Sequence, residues 1–116
     1  MDHTVFLSFL RNAVDARQTL FDPGHQSAFR LFSGFTEGAP DLVIDLYGST
    51  LVFHNYAEEP ALGMELVQQA REFLLTQYPW LRAGIIKTRR SKMQEERRGL
   101  LLFGDKPDRK ILEKRH

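Results

Sequence analysis

The sequence predicts an α+β fold: a small, mainly antiparallel sheet with a β-β-α-β-β core, an extra preceding strand and an N-terminal helix. Two observations lead to this prediction. Residues 28–56 contain three short runs of alternating side chains, separated by two turns that contain glycine, as in strands joined by tight links. Residues 58–78 contain apolar residues at steps of three and four, the spacing of a helix with one buried face. A helix covering one face of a sheet accommodates both patterns.

The composition is that of one globular domain. The chain has 116 residues, of which 42% are hydrophobic and 27% charged, enough for a modest core. It has no cysteine, which excludes disulfides, thiolate nucleophiles and thiolate metal sites and agrees with a reducing compartment. The apolar run at 5–10 is too short to span a membrane, and charged residues follow it at once. We therefore predict a cytoplasmic protein without a membrane segment.

The first predicted element is a helix that begins at Asp2 or Thr4, either of which can cap it, and continues to about Leu20. Its apolar residues recur on one face, at Phe6, Phe9, Leu10, Ala13 and Val14. Residues 22–24, which include proline and glycine, end it. Residues 1–24 are thus predicted to be an N-terminal helix and linker.

Three strands are predicted next. Residues 28–35 form the first, and a turn at 36–40 with glycine and proline separates it from the second. In residues 42–47 leucine and isoleucine occupy every second position, the period of a strand. A two-residue Gly-Ser link then favours a hairpin to residues 50–56.

The second half begins with a helix from about Pro60 to about Tyr78, preceded by two acids that suit its positive dipole end. Two strands follow, at 83–88 and 99–103. The second is predicted to be well buried because it carries the run LLLF. Residues 89–98 connect these strands and are too highly charged to lie in a core.

These elements divide the chain into three parts. The central β-β-α-β-β-type domain is predicted to occupy residues 25–104, after the N-terminal helix and linker. A polar tail follows at 105–116, with a further strand suggested by Ile111 and Leu112.

The hairpin carries a family resemblance. The matching positions are Arg30, Leu31, Gly34, Gly38, Pro40, Leu42, Asp45, Tyr47, Gly48, Leu51 and Val52. At this spacing they resemble the central domain of the class I S-adenosylmethionine-dependent rRNA large-subunit methyltransferases, the RlmI-like family. Phe35, Glu37 and Asp41 depart from the family pattern, which has an acid, an aspartate and a glycine there.

The resemblance implies a central accessory domain whose parent chain continues into a class I methyltransferase domain after the tail at 105–116. It also implies structured RNA, in particular rRNA, as a partner, and S-adenosylmethionine as the cofactor of that missing domain. In this chain no glycine-rich turn follows a predicted strand, and there is no cysteine nucleophile. We therefore expect no catalytic or cofactor-binding residues here, and the chain alone to be inactive.

Candidate RNA-binding residues lie in and beside the charged connection: Lys87, Arg89, Arg90, Lys92, Arg97 and Arg98. Residues 1–80 carry four basic and ten acidic residues, whereas residues 81–116 carry twelve basic and five acidic ones. Arginine and lysine on such a loop can bind phosphates without reading base sequence. The alternative is a solvated hairpin loop in which Glu95 and Glu96 pair with the loop's own arginines.

Other polar residues are predicted to be structural. Asp45 is expected to bond a turn amide or Arg30 rather than a substrate, and Glu37 to be a structural or solvated turn acid rather than a catalytic one. The histidines at 3, 25, 54 and 116 have no spacing that would form a zinc site.

Two alternatives remain open. The aromatic residues Phe29, Phe32, Phe35, Phe53 and Tyr56 are expected to belong to the core rather than to a base-stacking surface. The second candidate function is that of a structural or protein-interaction domain without a nucleic-acid role. Such a domain could, for example, form a homodimer through its sheet edges or its N-terminal helix.

Overall fold

The computed structural model describes residues 2–105, so the tail strand predicted at Ile111 and Leu112 lies outside the described residues. Its centre is a five-stranded sheet in the order β1-β2-β3-β4-β5. The strands are β1 (Ala28–Ser33), β2 (Leu42–Tyr47), β3 (Thr50–Asn55), β4 (Ala83–Thr88) and β5 (Leu100–Gly104). Neighbouring strands are antiparallel except β3 and β4, which are parallel. The predicted small, mainly antiparallel α+β sheet is confirmed.

Within residues 2–105, four α-helices connect or flank these strands. They are α1 (His3–Ala16), α2 (Gly34–Glu37), α3 (Pro60–Gln77) and α4 (Gln94–Arg98). Asp2 caps α1, since its carboxylate accepts from the backbone N–H of Thr4 at 2.7 Å. Among residues 2–105, no helix combines the length and the apolar character that crossing a membrane would require.

The sequence explains the strand directions. Gly48 has a φ of 59° and closes the β2–β3 hairpin, which pairs Tyr47 with Thr50. The 18-residue helix α3 then carries the chain back along the sheet, so that β4 pairs in parallel with β3. The carboxyl ends of β3 and β4 therefore lie side by side, with Asn55 opposite Thr88.

The two faces of the sheet differ in chemistry. One face carries Ile44, Leu46, Leu51 and Phe53, which form the core with buried residues of α1 and α3. The other carries a row of charged and polar residues that we call the polar face. Its members are Arg30, Asp45, His54, Tyr56, Lys87 and Arg89.

The first predicted strand ends two residues early, and a helix takes its place. β1 stops at Ser33, and α2 begins at Gly34, because the backbone there passes too close to the 39–42 segment for a side chain. A Cβ at Gly34 would lie 2.0 Å from the Ala39 carbonyl oxygen. Gly38, with a φ of 105°, then ends the helix.

Two other predictions also require correction. α1 ends at Ala16 and a 3-10 turn at Gln18–Leu20 follows, because the Arg17 side chain leaves the helix and donates to the Arg30 carbonyl at 2.7 Å. β5 is not well buried: Leu100 and Leu101 are 45% and 48% exposed. The reason is that, within the part of the chain that the structure describes, β5 is an edge strand with β4 as its neighbour on one side only.

Candidate nucleic-acid interface

Most of the predicted RNA-binding residues lie together in the connection between β4 and β5. We call residues 89–98 the basic loop. Arg90, Lys92, Arg97 and Arg98 are exposed, and Arg89 is partly buried. Lys87 is separate from them, because it lies within β4 and is only 3% exposed. The sequence could not distinguish these environments, since burial of a strand residue depends on what the sheet brings next to it.

Hydrogen bonds to main-chain oxygens hold the basic loop in place. Arg90 Nε donates to the Tyr56 carbonyl at 2.9 Å, which ties the loop to the end of β3. Arg97 Nη1 donates to the Ser91 carbonyl at 2.7 Å, and Arg89 Nη1 reaches the Arg97 carbonyl at 3.4 Å. Three arginines thus use part of their donor capacity to shape the loop.

The two glutamates of the loop do not neutralise it. Glu96 accepts from the Ser91 hydroxyl at 2.5 Å. Among residues 2–105, no ion pair joins Glu95 or Glu96 to an arginine. Lys92 and Arg98, within the same described residues, make no hydrogen bond or ion pair to the protein. Their charges therefore face the solvent.

The polar face begins beside this loop. Asp45 on β2 accepts from Arg30 Nε at 2.9 Å, so of the two partners predicted for it, a turn amide or Arg30, the structure shows Arg30. Its other oxygen lies 3.0 Å from His54 Nε2 on β3. His54 in turn lies opposite Lys87 in the parallel register. No partner for His54 was predicted from the sequence, although the predicted hairpin, which pairs β2 with β3, was a signal that could have indicated this contact.

The ionisation of Asp45 and His54 follows from their surroundings. Burial raises the pKa of the Asp45 carboxyl, but hydrogen bonds from His54 and Arg30 outweigh that effect and lower the pKa from 3.8 to about 2. Burial lowers the pKa of His54 from 6.5, which keeps its ring neutral at pH 7. The neutral ring donates its Nε2–H, since a carboxylate can only accept.

The charge of Lys87 is also affected by its surroundings. Burial lowers the pKa of its ammonium group from 10.5, and the nearby Arg89 guanidinium lowers it further, while Asp45 opposes both effects. The Arg89 charge likewise lowers the pKa of His54. The side chains of His54, Lys87 and Arg89 therefore lie close together at the carboxyl ends of β3 and β4.

Glu37 has the structural role that was predicted for it. Its two oxygens accept from Arg17 at 2.8 and 2.6 Å, a bidentate pair that joins α1 to α2. One oxygen also accepts from the Ser33 backbone N–H at 2.8 Å. The sequence predicted a structural acid but not its partner, which lies twenty positions away.

The aromatic residues fall into two groups. Phe32 and Phe53 are fully buried in the core, and Phe29 packs against it, as predicted. Phe35 is 77% exposed because it lies on α2 rather than at the end of β1. Over the described residues, no cluster of three or more metal-ligating side chains occurs.

The described residues do not fit S-adenosylmethionine. A class I site needs a glycine-rich turn between a strand and the next helix, and an acid at the end of a neighbouring strand. The β3–α3 connection has no glycine, and the Asn55 side chain spans it by donating to the Pro60 carbonyl and accepting from the Ala57 N–H. Thr88, not an acid, ends β4.

Sequence comparison finds partial relatives. The chain is 38% identical over 58 residues to YwbD of Bacillus subtilis (strain 168), which is provisionally named a ribosomal RNA large subunit methyltransferase. It is 38% identical over 52 residues to ribosomal RNA large subunit methyltransferase I of Alteromonas mediterranea. These matches span 50% and 45% of this chain but 15% and 13% of the relatives. No family model matches the chain.

Two solved structures have the same fold. One is a protein of Streptococcus mutans described as a SAM-dependent methyltransferase, with a TM-score of 0.69 and 17% identity. The other is described as a methyltransferase complexed with SAH, with a TM-score of 0.69 and 18% identity. The similarity covers 93% and 92% of this chain but 26% of each of those chains. At half of its length, then, this chain is similar in sequence to RlmI-like rRNA methyltransferases, and nearly all of it shares a fold with part of a methyltransferase.

Proposed function

We propose that this chain is a non-catalytic, RNA-orienting module of an S-adenosylmethionine-dependent rRNA methyltransferase. In this proposal the module holds structured RNA against a class I methyltransferase domain of the same parent chain, in the cytoplasm. The observation that supports it best is the basic loop, where Arg90, Lys92, Arg97 and Arg98 are exposed and Glu95 and Glu96 pair with none of them among the described residues. The partial relatives are both named as rRNA large-subunit methyltransferases, which supports RNA over other polyanions.

Two roles are distinguished within the loop. Arg90 and Arg97 hold its main chain through hydrogen bonds to carbonyls, so they position the loop as well as charging it. Lys92 and Arg98 are committed to no protein partner among residues 2–105, and both are exposed. We therefore assign phosphate contact chiefly to Lys92 and Arg98. Such contacts give affinity rather than sequence discrimination.

The test is RNA binding by the 116-residue chain. We expect a structured rRNA fragment to bind. The double substitution of Lys92→Gln with Arg98→Gln should lower the slope of log affinity against log salt by about one for each phosphate that the protein no longer neutralises. Arg11→Gln with Arg82→Gln is the matched control, since it removes the same charge from exposed positions outside the basic loop. Fluorescence anisotropy at two or more salt concentrations measures the slopes.

An equal loss in both double variants would mean that the chain attracts RNA through net charge alone and would contradict the assignment to the loop. Absence of binding by the folded chain would favour the second candidate, a protein-interaction domain. The observation behind that candidate is the edge strand β5, whose Leu100 and Leu101 are about half exposed. Self-association that does not depend on salt, seen by analytical ultracentrifugation, would support it.

A further inference from the structure

The carboxyl ends of β3 and β4 bring together more basic groups than acidic ones. Lys87 and Arg89 lie two residues apart in β4 and its extension, on the same face as His54. Among residues 2–105, Asp45 is the acid that acts on this group, and it also pairs with Arg30. The described part of the polar face therefore carries the cations Arg30, Lys87 and Arg89, the Asp45 carboxylate and a neutral His54.

Arg89 has donor capacity that is not used. Its Nε is buried and has no hydrogen-bond partner among residues 2–105, and within the same residues its Nη1 makes only the 3.4 Å contact with the Arg97 carbonyl. Buried donors in proteins are normally satisfied, so an unused guanidinium N–H needs an explanation. An acceptor that arrives from outside the protein would provide one.

The main chain around Arg89 is held firmly. The Arg89 backbone N–H donates to the Asn55 carbonyl at 2.9 Å, which extends the β3–β4 ladder past its last pair. Arg90 Nε bonds the Tyr56 carbonyl at 2.9 Å. The carboxyl ends of parallel strands are also where sheets with helical crossovers bind ligands. Arg89 is thus a preorganised group at a favourable place.

We propose that this end of the polar face binds one phosphate group of RNA, with the Arg89 guanidinium in direct contact and the Lys87 ammonium beneath it. The proposal rests on the proposed RNA-orienting function and names a discrete site within it. A planar guanidinium fork matches the oxygens of a phosphate, and a second cation strengthens that attraction. Lys87, being 3% exposed, is a positioning residue that acts through its charge.

Inorganic phosphate is the first probe, added to the ¹⁵N-labelled 116-residue chain. We expect the Arg89 Nε–Hε signal to shift saturably. Arg82 serves as the internal reference, because its side chain is 71% exposed and its contact with Asp105 is a loose 3.6 Å pair. Its signal should change only gradually, as for non-specific ion association.

Two substitutions separate the site from general charge. Lys87→Met should weaken phosphate binding at Arg89 by about tenfold, since one charged neighbour is removed. Arg11→Met removes the same charge from an exposed position outside the basic loop and should leave that binding unchanged. The Arg89 signal reports on the site itself, so a mere loss of packing at Lys87 would be seen separately, in the amide spectrum.

The second probe is the rRNA fragment, and each outcome decides one question. A saturable Arg89 shift with inorganic phosphate that recurs with RNA supports the phosphate site. RNA binding without a saturable shift at Arg89 overturns the site and leaves the basic-loop proposal standing. A saturable shift with inorganic phosphate in a chain that binds no RNA overturns both the RNA assignment of the site and the proposed function. Equal effects of Lys87→Met and Arg11→Met on phosphate affinity overturn the role of Lys87.

Discussion

At the scale of single residues, Asp45 has the most demanding environment. It is 3% exposed, yet it carries a charge, because Arg30 and His54 both bond it. The two partners are not equivalent. The Arg30 side chain is 42% exposed, so water screens its attraction, whereas His54 is fully buried. The Asp45 carboxylate is therefore stabilised more by its bond with the buried His54 than by its bond with Arg30.

Replacing Asp45 should lower the free energy of unfolding more than replacing Arg30. Asp45→Asn removes the carboxylate and leaves an amide against His54 and Arg30, for an expected loss of about 2–3 kcal/mol in the free energy of unfolding. Arg30→Gln removes a partly exposed partner, for an expected loss of under about 1 kcal/mol. Urea denaturation measures both. Equal losses of stability in Asp45→Asn and Arg30→Gln would contradict the idea that the buried group of this ion pair contributes more.

The stability of the fold should depend on pH through Asp45. The pKa of its carboxyl is about 2 in the folded chain against 3.8 as the ordinary value. As the pH falls, the unfolded chain takes up this proton first, so the stabilisation present above pH 3.8 is lost as the pH falls towards 2. Denaturation series from about pH 5 to about pH 2 should show a steeper fall for the wild-type chain than for Asp45→Asn. If the free energy of unfolding fell equally with pH in both proteins, the pH dependence would not come from Asp45.

At the scale of elements, the crossover from β3 to α3 is fixed by one side chain. Asn55 donates to the Pro60 carbonyl at 3.0 Å and accepts from the Ala57 N–H at 3.1 Å. α3 passes so close to it that only glycine fits at position 63, where a Cβ would lie 1.8 Å from the Asn55 side-chain oxygen. The contact explains a glycine inside a helix, where that residue is otherwise unfavourable.

Because of this contact, we expect Gly63→Ala to have opposite effects on stability in the wild-type chain and in an Asn55→Ala background. Gly63→Ala should destabilise the wild-type fold by roughly 1–3 kcal/mol, because the gain in helix propensity is smaller than the cost of displacing Asn55. In an Asn55→Ala background the obstacle is gone, and Gly63→Ala should be stabilising by up to about 1 kcal/mol. A thermal or urea double-mutant cycle tests this. The same sign in both backgrounds would show that Asn55 is not the constraint.

The basic loop illustrates a second point at this scale. Its short helix α4 has no buried residue, so packing cannot hold it. Its shape comes from arginine side chains that donate to carbonyls and from Ser91, which bonds both Glu96 and the Met93 N–H. A charged segment can thus be ordered by local hydrogen bonds without becoming part of the core.

At the scale of the whole molecule, the chain has two chemically different sides. Helices α1 and α3 cover one face of the sheet and close the core. The polar face carries Lys87 and Arg89 and is bordered by the basic loop, where Arg90, Lys92, Arg97 and Arg98 are exposed. In the function that we propose, the basic loop presents this charge to RNA, while the core on the other face of the sheet provides stability. In the solved structures that share its fold, the similar region is about a quarter of a longer chain.

Much of the fold could be predicted because it depends on near neighbours in the sequence. The strand period of residues 42–47, the Gly48-Ser49 turn and the proline at the start of α3 all act over a few positions. A structural bond from Asp45 to a turn amide or to Arg30 was also predicted, since a half-buried acid needs a partner, and the structure shows the bond to Arg30. The burial of Lys87 and the exposure of Leu101 were not, because burial depends on which strand lies alongside.

The sequence by itself determined the five strands and the two long helices of the described residues, the α+β class and the strong positive charge of the second half, since these follow from local pattern and composition. Only the tertiary structure decided that β4 lies parallel to β3, that Lys87 lies opposite His54, and that the Arg89 charge acts on the His54 ring. Those features require residues far apart in the chain to come within hydrogen-bonding or electrostatic range. Local patterns do not specify such pairings, because several strand orders bury the same apolar residues equally well.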